Sequence, residues 1–168
     1  LSEDVQCNDF TIVSGELSFD SGNTLFITGD FDNQDVFNAT NGIVEFNGTG
    51  VQEIFSGGDD FYDVSFNNNA GLDADILLSD DLSVNNSATF TNGIVNTNGN
   101  DFIFSSSASS NIGNSSSFVD GNVRKLSLSN SFSFPTGDVN KRDIGSGSQT
   151  YKIWAPFVAN PVAATNVD

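Results

Sequence analysis

The sequence predicts an all-β protein, a right-handed parallel β-helix (β-solenoid), with a β-sandwich as the alternative. Two observations support this: short runs of alternating apolar residues end at Asn, Gly or Asp, and apolar residues, mostly Phe, recur about every 20 residues. The 168 residues include 16 Phe and 16 Gly, and no His or Met. Because disordered chains are poor in aromatic residues, this composition favours a folded, turn-rich protein.

The clearest strand pattern lies between residues 40 and 69. Three alternating apolar runs occur there, at residues 43–46, 51–55 and 61–66. Turn-forming residues follow each run, which is typical of short strands with one buried face. Weaker runs precede this stretch at residues 10–13, 16–19 and 25–31. No segment combines an N-cap, a 3.6-residue apolar period and a C-cap glycine, so no helix is expected.

A repeat of about 20 residues predicts the solenoid. Phe26, Phe46, Phe66, Val84 and Phe104 follow one another at intervals of 20, 20, 18 and 20 residues. An apolar residue that recurs at this interval indicates one coil per repeat, each coil stacked on the last. We therefore expect these five residues to form one inward column.

A pentapeptide, Thr-Asn-Gly-Ile-Val, complicates the repeat. It occurs at residues 40–44 and again at residues 91–95, an offset of 51 residues that is not a multiple of 20. Either the loops differ in length between coils, or the same pentapeptide forms two different corners.

The composition changes after residue 104. Residues 105–117 are rich in serine, and all five Lys and Arg residues lie between Arg124 and Lys152. We therefore predict solenoid coils over residues 1–116. Residues 117–168 are predicted to form a β cap or the start of a following β-sandwich module, which we expect to be truncated.

The charge and cysteine content exclude several function classes. A net charge of −17 with only five basic residues disfavours nucleic acid and anionic membrane surfaces as partners. No apolar run approaches membrane-spanning length, so direct insertion into a membrane is not expected. Cys7 is the single cysteine, which rules out an internal disulfide.

Asp30, Asp32 and Asp35 are the candidate metal ligands. They place carboxylate oxygens close together in one loop, as calcium prefers. The segment lacks the central glycine and terminal glutamate of a helix-flanked calcium loop, and aspartates in turns more often bond their own backbone. Calcium is therefore a candidate ion, and no other cofactor is expected.

The residues predict no enzyme activity and no catalytic residue. Residues 1–123 contain no Lys, Arg or His, whereas lyase chemistry needs a basic group. Asp59 with Asp60, and Asp80 with Asp81, offer carboxylates for hydrolysis, but neighbouring side chains on a strand point to opposite faces.

Several segments in order resemble a known family of surface proteins. They are residues 46–54 (FNGTGVQEI), 61–67 (FYDVSFN), 81–84, 91–95, 118–125 (FVDGNVRK) and 132–138 (FSFPTGD). This set is similar to the large, repetitive adhesin-like proteins of gliding and other Bacteroidetes bacteria, which the type IX secretion system exports. The resemblance implies an exported protein at the cell surface or outside the cell, with a structural or adhesive role. It implies the secretion machinery and extracellular glycans or proteins as partners, and it transfers no catalytic residue.

The leading hypothesis is therefore a non-catalytic adhesin or stalk module of a larger secreted protein. The alternative is a carbohydrate-binding or polysaccharide-degrading β-helix, in which Tyr62, Trp154 or a carboxylate groove would contact sugar. An ice-binding solenoid is disfavoured, because the threonines do not repeat at the coil interval.

Overall fold

A computed structural model of the chain describes residues 1–20, 22–142 and 150–161. These residues form 18 β-strands, and no helix occurs among them. In chain order the strands are β1 (Val5–Cys7), β2 (Phe10–Ile12), β3 (Glu16–Ser18), β4 (Thr24–Ile27), β5 (Phe31–Asn33), β6 (Val36–Asn38), β7 (Ile43–Phe46), β8 (Gln52–Phe55), β9 (Phe61–Asn67), β10 (Ile76–Leu78), β11 (Leu82–Asn92), β12 (Val95–Phe104), β13 (Ser109–Ser110), β14 (Val119–Lys125), β15 (Phe132–Phe134), β16 (Thr136–Arg142), β17 (Thr150–Trp154) and β18 (Phe157–Ala159).

The strands wind into a parallel β-solenoid of about six turns, which confirms the predicted fold class. Face 1 consists of β1, β4, β7, β9, the second half of β11, and β13. Face 2 consists of β2, β5, β8, β10, the first halves of β12 and β14, and the start of β16. Face 3 begins with β3 and β6 and continues with the first half of β11 and the second halves of β12 and β14. Such parallel stacking excludes the β-sandwich alternative for these coils.

The coils differ in length although their strands stay in register. On face 1, Leu25 pairs with Val44, Val44 with Val64, and Val64 with Ala88, so successive steps take 19, 20 and 24 residues. The extra residues lie at corners: β11 bends with a register shift between Val84 and Ser87. A constant spacing of 20 residues therefore describes only part of the stack.

The predicted single column from Phe26 to Phe104 is wrong. Phe46 stacks on Phe66 with ring centroids 6.0 Å apart, and Phe66 lies 5.1 Å from Phe90, so these three rings share one column on face 1. Phe26 instead pairs with Glu45 on the outer side, because the alternation buries its neighbours in β4. Phe104 belongs to face 3, where it pairs with Val84.

Aromatic contacts also join the three faces across the interior. The ring of Phe31 on face 2 lies 5.1 Å from Phe37 on face 3 and 6.4 Å from Phe46 on face 1, and it also contacts Phe61 at the start of β9. All but Phe37 are at most 1% exposed, and Phe37 is 3% exposed. One continuous apolar interior is thus enclosed by three sheets.

The repeated pentapeptide forms two different corners. Residues 40–44 lead into β7 on face 1, whereas residues 91–95 lead from face 1 into β12 on face 2. At the second corner Gly93 has φ +94°, and a Cβ there would lie 2.9 Å from the Cβ of Asn68. This position therefore requires glycine for both conformation and space.

Antiparallel strands close the C-terminal end of the stack. The change in composition near residue 116 does not interrupt the parallel pairing, because β14 continues the coils on β12 and β16 pairs with β14. β17 then runs antiparallel to β16, and β18 antiparallel to β15. Phe132 packs on the buried ring of Phe104 at 4.9 Å. Residues 143–149 and 162–168 of the predicted cap lie outside the described residues.

Replacing an inward column ring should destabilise the protein far more than replacing Phe26. We expect Phe66→Ala to lower the free energy of unfolding by about 3–5 kcal/mol, because it leaves a cavity between the rings of Phe46 and Phe90. Phe26→Ala should lower it by less than about 2 kcal/mol, since that side chain is outward and partly solvated. Equilibrium urea unfolding measures both losses, and equal losses would contradict the assigned column.

Candidate functional site

The three candidate calcium ligands do not converge. Asp30 Oδ1 accepts a hydrogen bond from the backbone N–H of Glu53 at 2.8 Å, and Asp35 Oδ2 accepts one from that of Gly15 at 2.7 Å. Asp32 Oδ2 accepts one from the Gln34 amide at 2.7 Å. In the part of the chain that the structure describes, no three His, Cys, Asp or Glu side chains are grouped to hold a metal ion. Calcium binding stays a prediction.

Asp30 and Asp35 belong to a wider set of carboxylates that join neighbouring coils. Each member accepts a hydrogen bond from a backbone N–H of the coil before or after it. The bonds, 2.7–3.0 Å long, run to Asp4 from Thr24, to Asp9 from Asp30, to Asp30 from Glu53, to Asp35 from Gly15, to Asp59 from Phe37, to Asp75 from Ile94, to Asp80 from Ser56 and to Asp81 from Asp101. Charge-assisted bonds of this kind are stronger than neutral ones.

Asp75 is the most buried of these carboxylates, at 1% exposure. Its Oδ1 accepts a bond from Leu72 N at 2.7 Å and its Oδ2 one from Ile94 N at 2.8 Å. Both oxygens are therefore satisfied by backbone donors, and the carboxylate fixes the corner before β10 to the corner before β12.

A buried amide pair connects three coils near the same corner. Gln52, which is fully buried, donates from Nε2 to Ile27 O at 3.0 Å and Gly29 O at 2.6 Å. Its Oε1 accepts from Gly48 N and from the amide of Asn68, both at 2.9 Å. Strand alternation alone does not identify this pair. The signal in the sequence is a glutamine at the position of β8 that shares its inward face with the apolar Ile54.

One groove lies on face 2 and has a volume of 370 Å³. Its lining includes Asp30, Asp32, Glu53 and Phe55, and Phe55 is 38% exposed. Glu53 also accepts a hydrogen bond from the Ser79 hydroxyl. Two of the three candidate calcium ligands therefore share this groove, and Asp35 lies outside it.

A second groove, the Tyr62 groove, follows the corner between face 3 and face 1. It has a volume of 320 Å³ and is lined chiefly by Asn38, Thr40, Asp60, Tyr62 and Asn85. The Asn85 amide donates to Asp60 Oδ2 at 3.0 Å. Tyr62 is half-buried and packs against the apolar core, so its ring is held in place beside these polar groups.

Trp154, the other candidate for sugar contact, lies at the C-terminal end on β17. Its indole N–H donates to Ile112 O at 3.1 Å, and the residue is 38% exposed. Trp154 and Tyr62 are therefore not parts of one surface groove.

Lys125 terminates the inward column of face 3. It pairs with Phe104, which pairs with Val84, so a cation takes the position that apolar residues hold in earlier coils. Its ammonium donates hydrogen bonds to the carbonyl oxygens of Ser105, of Ser106 at 3.0 Å and of Ala108 at 2.7 Å. The ammonium also lies 4.8 Å from the ring centroid of Phe132. Burial lowers the pKa of Lys125.

A groove of 490 Å³ lies beside Lys125 and is lined mostly by serines. Because the ammonium already donates to three carbonyls, it is held by the loop that precedes it in the stack. Its role in this groove is therefore structural.

Comparison with known proteins gave no significant match. No family model matches it, and no curated protein or solved structure is significantly similar to it. Among the described residues, no helix has the length and apolar character needed to cross a membrane. Inferences about function therefore rest on the residues and geometry of this chain.

Removing the Asp75 carboxylate should cost far more stability than removing the neighbouring Asp73. Asp75→Ala leaves the buried N–H of Ile94 and the partly buried N–H of Leu72 without an acceptor, so we expect a loss of about 2–4 kcal/mol in the free energy of unfolding. Asp73 is 72% exposed and pairs with Lys152 at 3.1 Å, so Asp73→Ala should cost at most about 1 kcal/mol. Chemical denaturation of both variants gives the comparison, and a neutral Asp75→Ala would show that the corner does not depend on this carboxylate.

Asp120 should make the protein less stable as pH rises, whereas a carboxylate paired with a cation makes a protein more stable as pH rises. Burial raises the pKa of Asp120, and the charges of Asp138 and Asp73 raise it further, against a lowering by the hydrogen bond from Val139 N. Ionisation of Asp120 therefore opposes folding once pH rises through the raised pKa, and its penalty is absent below the ordinary value of 3.8. Asp120→Asn should raise the melting temperature at pH 7, and this increase should vanish below pH 3.8.

Asp101→Asn is the matched control for this pH effect. Asp101 pairs with Arg124 at 3.0 Å on the same pair of strands, so its replacement should leave the melting temperature at pH 7 unchanged or lower. Thermal unfolding across this pH range compares the two variants. A lower melting temperature for Asp120→Asn at pH 7 would contradict the assigned environment.

Proposed function

We propose that this chain is a non-catalytic rod module of a larger exported surface protein, with a structural or adhesive role. The observation that best supports it is the set of carboxylates bonded to backbone N–H groups of adjacent coils. Acidic side chains that could otherwise form a reaction centre are used instead to hold the coils together.

The dimensions of the stacked coils suit a module that spaces other parts of a protein apart. About six coils at ~4.8 Å per coil give a rod of roughly 25–30 Å. Each coil contacts mainly its neighbours, so such a module can be extended by repetition without a new core. The net charge of −17 keeps copies apart in solution and leaves the outer faces hydrated.

The lining of the two outer grooves also supports a non-catalytic role. It consists of carboxylates, amides, hydroxyls and apolar side chains, and neither described lining contains Lys, Arg or His. Glycoside hydrolysis uses two carboxylates across the scissile bond. In the Tyr62 groove, Asp59 Oδ2 is instead occupied by Phe37 N at 2.7 Å and by the Asn33 amide at 3.0 Å.

The setting of the module follows from the sequence resemblance. We propose a location at the cell surface or outside the cell, export by the type IX secretion machinery of a Bacteroidetes bacterium, and extracellular glycans or proteins as partners. The carbohydrate-binding alternative is favoured by one specific feature, the Tyr62 groove, which offers an aromatic side chain beside amides and a carboxylate.

Surface labelling and adhesion assays test this proposal together. Antibodies to the chain should label intact source cells, and beads coated with the purified chain should be retained on source-cell surfaces or glycans under flow. Neither new reducing ends nor unsaturated uronates should appear when the chain is incubated with polysaccharides. Labelling only after permeabilisation would contradict export, and product formation would contradict a non-catalytic role.

A further inference from the structure

We infer that the Tyr62 groove binds a neutral glycan. This goes beyond the rod role proposed above, which does not depend on any particular ligand. The inference rests on four features of the groove: its ladder of side chains from successive coils, its unused hydrogen-bond acceptors, the aromatic ring of Tyr62, and its charge.

The groove presents side chains from three successive coils. Asn38 ends β6 in the second coil, Tyr62 lies at the start of β9 after the third coil's corner, and Asn85 lies in β11 of the next coil. Because coils are about 4.8 Å apart, the three positions span about 10 Å along the rod. An extended chain of sugars lying parallel to the axis can contact all three.

The polar groups of the groove have capacity for a ligand. Asp60 Oδ2 accepts a hydrogen bond from the Asn85 amide, and within the described residues Asp60 Oδ1 accepts none. The Tyr62 hydroxyl and Asn85 Oδ1 are also without a hydrogen-bond partner among the described residues. Asp60 and Asn85 side by side offer an acceptor and a spare amide N–H, the combination that binds two adjacent hydroxyl groups.

An aromatic side chain supplies the apolar part of sugar recognition. Tyr62 packs against the core and lines the groove beside Val36, which is 44% exposed. Aromatic rings bury large areas at low conformational cost, and a tyrosine can contact the C–H face of a sugar while its hydroxyl remains available for hydrogen bonding. The side chain therefore matches a ligand with one apolar face and peripheral hydroxyl groups.

The charge of the groove selects against acidic glycans. Asp59 and Asp60 contribute two carboxylates, and the described lining holds no cation to offset them. Uronates, sulfates and sialic acids would bring a like charge into this site, so they should be rejected. Neutral sugar chains, which offer hydroxyl donors to the unused acceptors, fit the lining.

Binding of defined glycans to the purified chain tests the inference. The probes are neutral hexaoses of glucose, mannose and xylose, with oligogalacturonate and heparin as anionic probes and spermine as a cationic one. At least one neutral probe should bind in calorimetry. Tyr62→Ala should raise the dissociation constant of that probe about tenfold or more, whereas Tyr62→Phe should retain most of the affinity.

Asp60→Asn and Phe55→Ala separate the groove from the rest of the surface. Asp60→Asn should weaken binding of the neutral probe about fivefold, because it changes an acceptor beside Asn85. It should not change the fold, as judged by circular dichroism. Phe55→Ala removes the exposed aromatic residue of face 2 and should leave binding unchanged. Absence of binding by every neutral probe, binding of spermine or an anionic probe only, or equal weakening by Phe55→Ala and Tyr62→Ala would overturn the inference.

Discussion

Stacking of inward side chains between neighbouring coils is the constraint on which the rest of the structure depends. A single coil of about 20 residues is too small to bury Phe46 or Phe66 by itself, so each ring is covered by the coil before and the coil after it. This requirement keeps the strands in register on each face. It does not fix the corners, which accordingly vary in length and carry most of the polar residues.

The acidic composition follows from those corners. Where a coil changes direction, some backbone N–H groups at strand ends lack a ladder partner, and carboxylates such as Asp30 and Asp81 accept from them. The negative charge is therefore part of the connection between coils as well as a property of the surface. Asp75 extends the same arrangement into the interior, where two backbone donors compensate for its burial.

The sequence predicted the local elements better than their assembly. The run at residues 43–46 coincides with β7, and those at 51–55 and 61–66 match β8 and β9 to within one residue. Alternation fixes which residues share a face within a strand, but it carries no information about how many residues a corner adds. A constant spacing of 20 residues therefore places Phe26 in the interior, although Leu25 and Ile27 are the buried residues of β4. The sequence indicates Tyr62 as a contact candidate, whereas its groove neighbour Asn85 follows only from the lengths of the coils between them.

Lys125 gives the stack a polarity that its parallel strands alone would not enforce. An apolar side chain such as Phe104 can be covered by apolar side chains of the coils before and after it, whereas the Lys125 ammonium donates to carbonyl oxygens of the preceding coil and is covered by the ring of Phe132. A winding placed above Lys125 on face 3 would have to dehydrate a cation that has no carboxylate partner among the described residues. The regular repetition of face 3 therefore ends at this position, and the chain continues into β15 and the antiparallel pairs of the C-terminal end.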